Sequence, residues 1–99
     1  MGVIGLTETL AQEAGYDNVH VNAISAAAVR GERSERIFTA KAEALGIAPD
    51  ELVKRSMSKY SLGRPAEEYE LANCAVFLAS EESSTITGQI IVSHCGYHL

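Results

Sequence analysis

The sequence predicts an α/β fold, a part of a doubly wound parallel sheet, and three observations carry that prediction. Two short β-branched runs, Val19–Ile24 and Gln89–Ser93, read as strands. More than sixty residues lie between them, most with helical periodicity, so the strands are expected to be parallel neighbours joined by a crossover. A parallel pair needs cover on both faces, and four helical stretches can supply part of it.

Each element has its own local signal. Over residues 2–14, Val3, Leu6, Leu10 and Ala14 recur at three- and four-residue steps, the mark of one apolar helix stripe. Gly15 stands where a left-handed C-terminal cap falls, and Tyr16-Asp17-Asn18 makes the turn. The first strand then carries Val19, Val21 and Ala23 on one face, with His20, Asn22 and Ile24 on the other. Asn22 is expected to hydrogen-bond neighbouring backbone. After a loop over residues 25–31, Ser34 is expected to cap a second helix whose apolar side holds Ile37, Phe38, Ala42 and Leu45, with Gly46 ending it.

Pro49 followed by Asp50-Glu51 opens a third helix. The proline has a suitable φ, and the acids lie near the positive end of the helix dipole. That helix holds Leu52, Val53 and Met57. Leu62-Gly-Arg-Pro65 breaks it, and Ala66-Glu-Glu is expected to begin the fourth, with Tyr69, Ala72, Val76 and Ala79 in one row. The polar turn Glu81–Ser84 leads to the last strand.

Composition narrows the function classes. The 99 residues are 46% hydrophobic and 21% charged, ordinary for one small globular domain. A formal charge of −5 with no basic cluster argues against a nucleic-acid surface. No apolar run approaches the roughly 20 residues of a membrane span, and no basic leader opens the chain. Leu6 occupies the place where a myristoylation signal has Ser or Thr. Two cysteines, Cys74 and Cys95, are too few for a disulfide framework, which points to a reducing cytoplasm.

Taken together, Gly2–Ala14, Val19–Val29, Leu71–Ser80 and Thr87–Val92, in this order and at these distances, closely resemble the C-terminal part of a short-chain dehydrogenase/reductase. The resemblance covers nearly the whole chain, residues 1–99, as a single partial domain that includes a substrate-lid region at 31–63. It implies a Rossmann-type sheet, NAD or NADP as cofactor, and oxidoreductase chemistry. In the family a Gly-rich turn receives the pyrophosphate, and a Ser, Tyr and Lys carry the proton transfer that accompanies hydride movement. Neither part is present. No Gly-x-x-x-Gly-x-Gly pattern occurs, and no tyrosine has a lysine four residues on, since Tyr16 meets His20 and Tyr60 meets Arg64. By the family's pattern Met1 falls about one residue after the missing lysine, as a truncated reading frame or an upstream-damaged gene would give.

The resemblance assigns no catalytic residue and no metal ligand to this chain. Its cofactor-side positions are Ala27, Val29 and Gly31. Val29 stands where the family uses backbone to bind the nicotinamide amide. Ala26-Ala27 replace Pro-Gly, and Gly31 replaces a frequent Thr. Near the C-terminus, His94-Cys95-Gly96 replaces Asp-Gly-Gly, so Cys95 bears a cost of about 1–2 kcal/mol if that position needs φ > 0. Cofactor binding by this chain alone is not expected.

Other features have plainer explanations. His94-Cys95-x-x-His98 has the right ligand types for zinc but lacks a second pair, and reads as a frayed polar tail. Cys74 reads as a small buried hydrophobe. Arg30–Arg36 reads as a solvated face, and Glu67-Glu68 as helix-dipole compensation. Two functions are therefore expected to compete. The chain is either a segment of an NAD(P)-dependent oxidoreductase, inactive in isolation, or a non-catalytic interaction module that associates with itself or with an intact subunit of the family.

Overall fold

A computed structural model describes residues 2–98. In chain order the elements are α1 (Gly2–Ala14), β1 (Ala23–Ser25), α2 (Glu32–Leu45), α3 (Pro49–Met57), α4 (Glu68–Ala79) and β2 (Ile90–Val92), with 3-10 turns at Gly15–Asp17 and Glu81–Ser83. They fall into two compact units. One holds the residues up to Ser25 together with Leu71–Val92; the other holds Ala26–Glu70 together with the segment from Ser93 onward.

In the first unit β1 and β2 form a parallel pair, with Ala23 opposite Ile90, Ile24 opposite Ile91 and Ser25 opposite Val92. Both strands are shorter than the sequence predicts, and Asn22 shows why. Its Nδ2 donates to the Ile86 carbonyl at 3.2 Å and its Oδ1 accepts the Gln89 N–H at 3.1 Å. A side chain thus stands in for ladder bonds before the strands proper begin. Val21 also donates to Thr87 Oγ1 at 3.1 Å, while its carbonyl accepts the Gly88 N–H at 2.7 Å. Gly88 has φ +71°, and a Cβ there would lie 3.4 Å from the Ala11 methyl, so the turn can lie close to α1.

The left-handed residue after α1 is Asn18, not Gly15. Gly15 continues the chain into a 3-10 turn, and Asn18, at φ +56°, donates to the Gly15 carbonyl. Asparagine tolerates this region better than most side chains, so the helix end migrates three residues. The buried side of α1 is Thr7 and Ala11, and the Thr7 hydroxyl is satisfied by the Val3 carbonyl at 2.6 Å. The predicted apolar stripe faces outward instead: Val3 is 66% exposed and Leu6 59%. Helix α4 has no buried residue; Cys74 is half-buried and Val76 is 68% exposed.

In the second unit α2 ends as predicted at Gly46, in the left-handed region at φ +69°, with the Ile47 N–H returning to the Ala42 carbonyl. Pro49 begins α3 with Asp50 and Glu51 in its first turn, also as predicted. The core is small: Ala42, Leu52, Met57, Tyr60 and Ala66. Ile37 and Leu45, expected on the apolar side of α2, are mostly exposed.

Helix α4 starts at Glu68, not Ala66, because Ala66 is already used. It forms an isolated parallel bridge with Val29, its N–H donating to the Ala28 carbonyl and its carbonyl accepting the Arg30 N–H.

Candidate cofactor loop and lid

The stretch Ala26–Gly31 links β1 to α2 and holds the three positions, Ala27, Val29 and Gly31, that the resemblance puts on the cofactor side. The bridge to Ala66 runs through Ala28 O and Arg30 N, at 3.0 and 2.7 Å. In a parallel bridge this leaves the N–H and C=O of the bridged residue, Val29, directed away from Ala66. The Val29 carbonyl accepts the Ser34 hydroxyl. Its N–H has no acceptor among the described residues.

Ser34 is therefore not the cap of α2. That position falls to Gly31, whose extended backbone offers no side-chain oxygen, and Ser34 lies inside the first turn, reaching back to the loop. A Cβ on Gly31 would sit 3.0 Å from Glu68 Oε1, the mobile end of a side chain. Ala27 is half-buried, and neither Ala26 nor Ala27 has positive φ, so the loop forms without the conformational freedom of glycine. Ala27 makes no hydrogen bond to Val29 or Gly31. What the structure brings together is Val29 and Gly31, on one wall of a cavity.

That cavity, about 210 Å³, lies where α2 and α3 approach the loop. Phe38, Val53 and Met57 give it an apolar side, and Glu35 and Asp50 add carboxylates. The Arg30 side chain reaches it too, with Nε paired to Glu67 Oε1 at 2.6 Å and more than half the side chain exposed. Arg64 binds Glu70 through both terminal guanidinium nitrogens, Nη1 and Nη2, at 2.6 and 3.0 Å. This pairing, with the Glu67 N–H, holds the Glu70 carboxyl down to about 2, and it raises the Arg64 guanidinium above its already high value.

The loop has one further anchor. The Tyr60 hydroxyl accepts the Ala28 N–H at 3.2 Å, and the Tyr60 ring lies 4.8 Å from that of Tyr97. The expected frayed tail is instead tied down. Ser61 N–H donates to Gly96 O, Leu62 N–H to Cys95 O and His98 N–H to Lys59 O, all within 3.1 Å. Cys95 does sit at positive φ, +54°. Among the described residues no group of three His, Cys, Asp or Glu side chains is placed to hold a metal.

Comparison with known proteins decides the kinship. The family profile described as enoyl-(acyl carrier protein) reductase matches residues 1–98. The chain belongs to the short-chain dehydrogenase/reductase family. A 3-oxoacyl-(acyl-carrier-protein) reductase FabG of Thermotoga maritima is 34% identical over 90 residues, which are 91% of this chain and 32% of that protein. A short-chain dehydrogenase family protein from Francisella tularensis superposes with a TM-score of 0.91 at 27% identity, covering 97% of this chain and 40% of the other. A 4-hydroxyisoleucine dehydrogenase solved with NADH superposes at 0.78 with 32% identity, over 96% and 35%. The chain spans about a third of the length of the curated dehydrogenase/reductase relatives it matches.

Three residues that shape the Ala26–Gly31 loop carry little signal in the sequence. Ser34 has the sequence position of a cap, and its spacing of five residues from Val29 is the available clue. Ala28 and Tyr60 carried no signal, because a lone tyrosine before Ser-Leu-Gly does not say which backbone amide it will meet.

Proposed function

We propose that this chain serves as the C-terminal segment of an NAD(P)-dependent oxidoreductase, with Ala26–Gly31 facing the nicotinamide and residues 31–63 covering the substrate. The observation that carries the reading is the Val29 backbone. Its N–H is left unpaired among the described residues, within a loop held on both sides, by the Ala66 bridge and by Ser34. A carboxamide oxygen is an acceptor that such a free, half-buried N–H can take in an ordinary backbone-type hydrogen bond. The cofactor, when bound, gives or takes the hydride. This chain's part is to orient it and to cover the substrate with α2 and α3.

The 99 residues on their own do not transfer hydride, because they hold neither a Gly-rich turn nor a Tyr-x-x-x-Lys pair. A reducing, cytoplasmic setting suits the two free thiols. The test is a chimaera in which residues 2–98 replace the matching third of the Thermotoga maritima reductase. Turnover of NADH or NADPH by the chimaera, with none by the chain alone, is expected. Turnover by the purified chain sinks the inactivity claim, and a folded chimaera that binds neither cofactor sinks the cofactor reading.

A second reading is an interaction module. It is favoured by the two-stranded sheet, which has no third strand among the described residues, and by the outward apolar stripe of α1. Its occupant is a second copy of this chain or an intact relative's subunit. A monomer by native mass spectrometry at micromolar concentration, unchanged by an added relative, rules it out.

A further inference from the structure

We infer that Tyr60 is the positioning residue of the Ala26–Gly31 loop, held in place through Tyr97 by the C-terminal segment; this rests on reading that loop as the nicotinamide-facing element.

Residues 26 and 27 have neither the fixed φ of proline nor the permissive backbone of glycine, so the loop's shape is imposed from outside. Two bonds of the Ala66 bridge hold it on one side. The Tyr60 hydroxyl holds Ala28, the residue just before Val29. Tyr60 suits this task. It is 91% buried (9% exposed), its own N–H donates to the Met57 carbonyl at the end of α3, and a buried phenol keeps few rotamers.

The support continues into the tail. Tyr60 and Tyr97 form an antiparallel bridge, with flanking bonds from Ser61 N–H to Gly96 O and from His98 N–H to Lys59 O, both 3.0 Å. Tyr97 in turn lies between Tyr60 and the His98 ring, whose centroid is 4.1 Å away. The close approach makes a sequence demand: a Cβ on Gly96 would fall 1.8 Å from Ser61 Oγ and 2.8 Å from Ser61 Cβ. The path from the tail to the loop is therefore Gly96 and Tyr97, then Tyr60, then Ala28 N–H. It keeps Val29 in register without touching cofactor.

Amide hydrogen exchange in the 99-residue chain tests the arrangement. Tyr60→Phe keeps the ring on Tyr97 and removes only the acceptor, so Ala28 exchange is expected to rise about three- to ten-fold. The Arg30 and Ala66 amides should keep their rates, and the melting temperature should barely move. Tyr97→Leu leaves the hydroxyl in place and should speed Ala28 exchange by a smaller factor. Unchanged Ala28 exchange in both variants, or acceleration spread evenly through the unit, overturns the inference.

The same variants in the chimaera give a second readout, the Kd for NADH. Tyr60→Phe should weaken binding about three- to ten-fold while leaving kcat at saturating NADH unchanged. A chimaera that binds NADH with the same Kd in both forms contradicts the positioning role. A chimaera that binds no NADH, beside a fast-exchanging Ala28 in Tyr60→Phe, removes the cofactor reading and leaves the Tyr60 anchor standing.

Discussion

Arg64 and Glu70 form a two-pronged ion pair, Nη1 to Oε1 at 2.6 Å and Nη2 to Oε2 at 3.0 Å, and the same Oε1 accepts the Glu67 N–H at 3.0 Å. Glu67 immediately precedes α4 and Glu70 lies in its first turn, so the carboxylate closes an otherwise unpaired helix N-terminus. The arginine keeps that carboxylate ionised. Because the carboxyl is held at about 2, below its ordinary 4.5, the stability it contributes is present above pH 4.5 and is lost as pH falls toward 2. Glu70→Gln should therefore lower the melting temperature at pH 7, with the gap to the parent closing below pH 4.5. A gap that stays constant down to pH 2 means the pair contributes nothing through ionisation.

Asn22→Ala removes both side-chain bonds that join the approach to β1 to the approach to β2. Loss of about 1–3 kcal/mol is expected, since Ile86 O and Gln89 N–H each lose a partner. Asn22→Asp keeps the acceptor for Gln89 and loses the donor to Ile86, so its denaturation midpoint should fall between the two.

Two left-handed positions should respond in opposite directions to glycine exchange. Cys95→Gly relieves a side chain at φ +54° and should raise stability by about 0.5–1 kcal/mol. Gly46→Ala imposes strain at φ +69° on the end of α2 and should cost about 1 kcal/mol. Urea midpoints read both, and equal shifts of the same sign contradict the assignment of backbone strain.

The outward stripe of α1 gives the interaction reading its own prediction. If a second copy covers Val3 and Leu6, Leu6→Glu should shift the chain toward monomer in native mass spectra without lowering its melting temperature as a monomer. An oligomer that survives the substitution places the contact elsewhere.

Much of the fold could be read from periodicity and caps. Helix α1 and the Gly46 and Pro49 boundaries match, because each rests on local backbone chemistry. Two of the misses come from contacts distant along the chain, and the third, Ser34, from a local bond back to Val29 that competes with capping. Ala66 leaves α4 for a bridge to Val29, Ser34 turns back to the loop, and the supposed loose tail is bonded to residues 59–62. Periodicity carries no information about the distant partners of Ala66 and the tail. The candidate cofactor loop rests on resemblance alone, at Ala27, Val29 and Gly31, whereas Tyr60 emerges only from the three-dimensional arrangement.

If the Val29 backbone meets the nicotinamide, its amide resonance in the 15N-labelled chimaera must respond to NADH. A large shift confined to residues 28–31 is expected, with Val29 N–H becoming protected from exchange. NADH that binds the chimaera while Val29 keeps its free shift and exchange rate contradicts it.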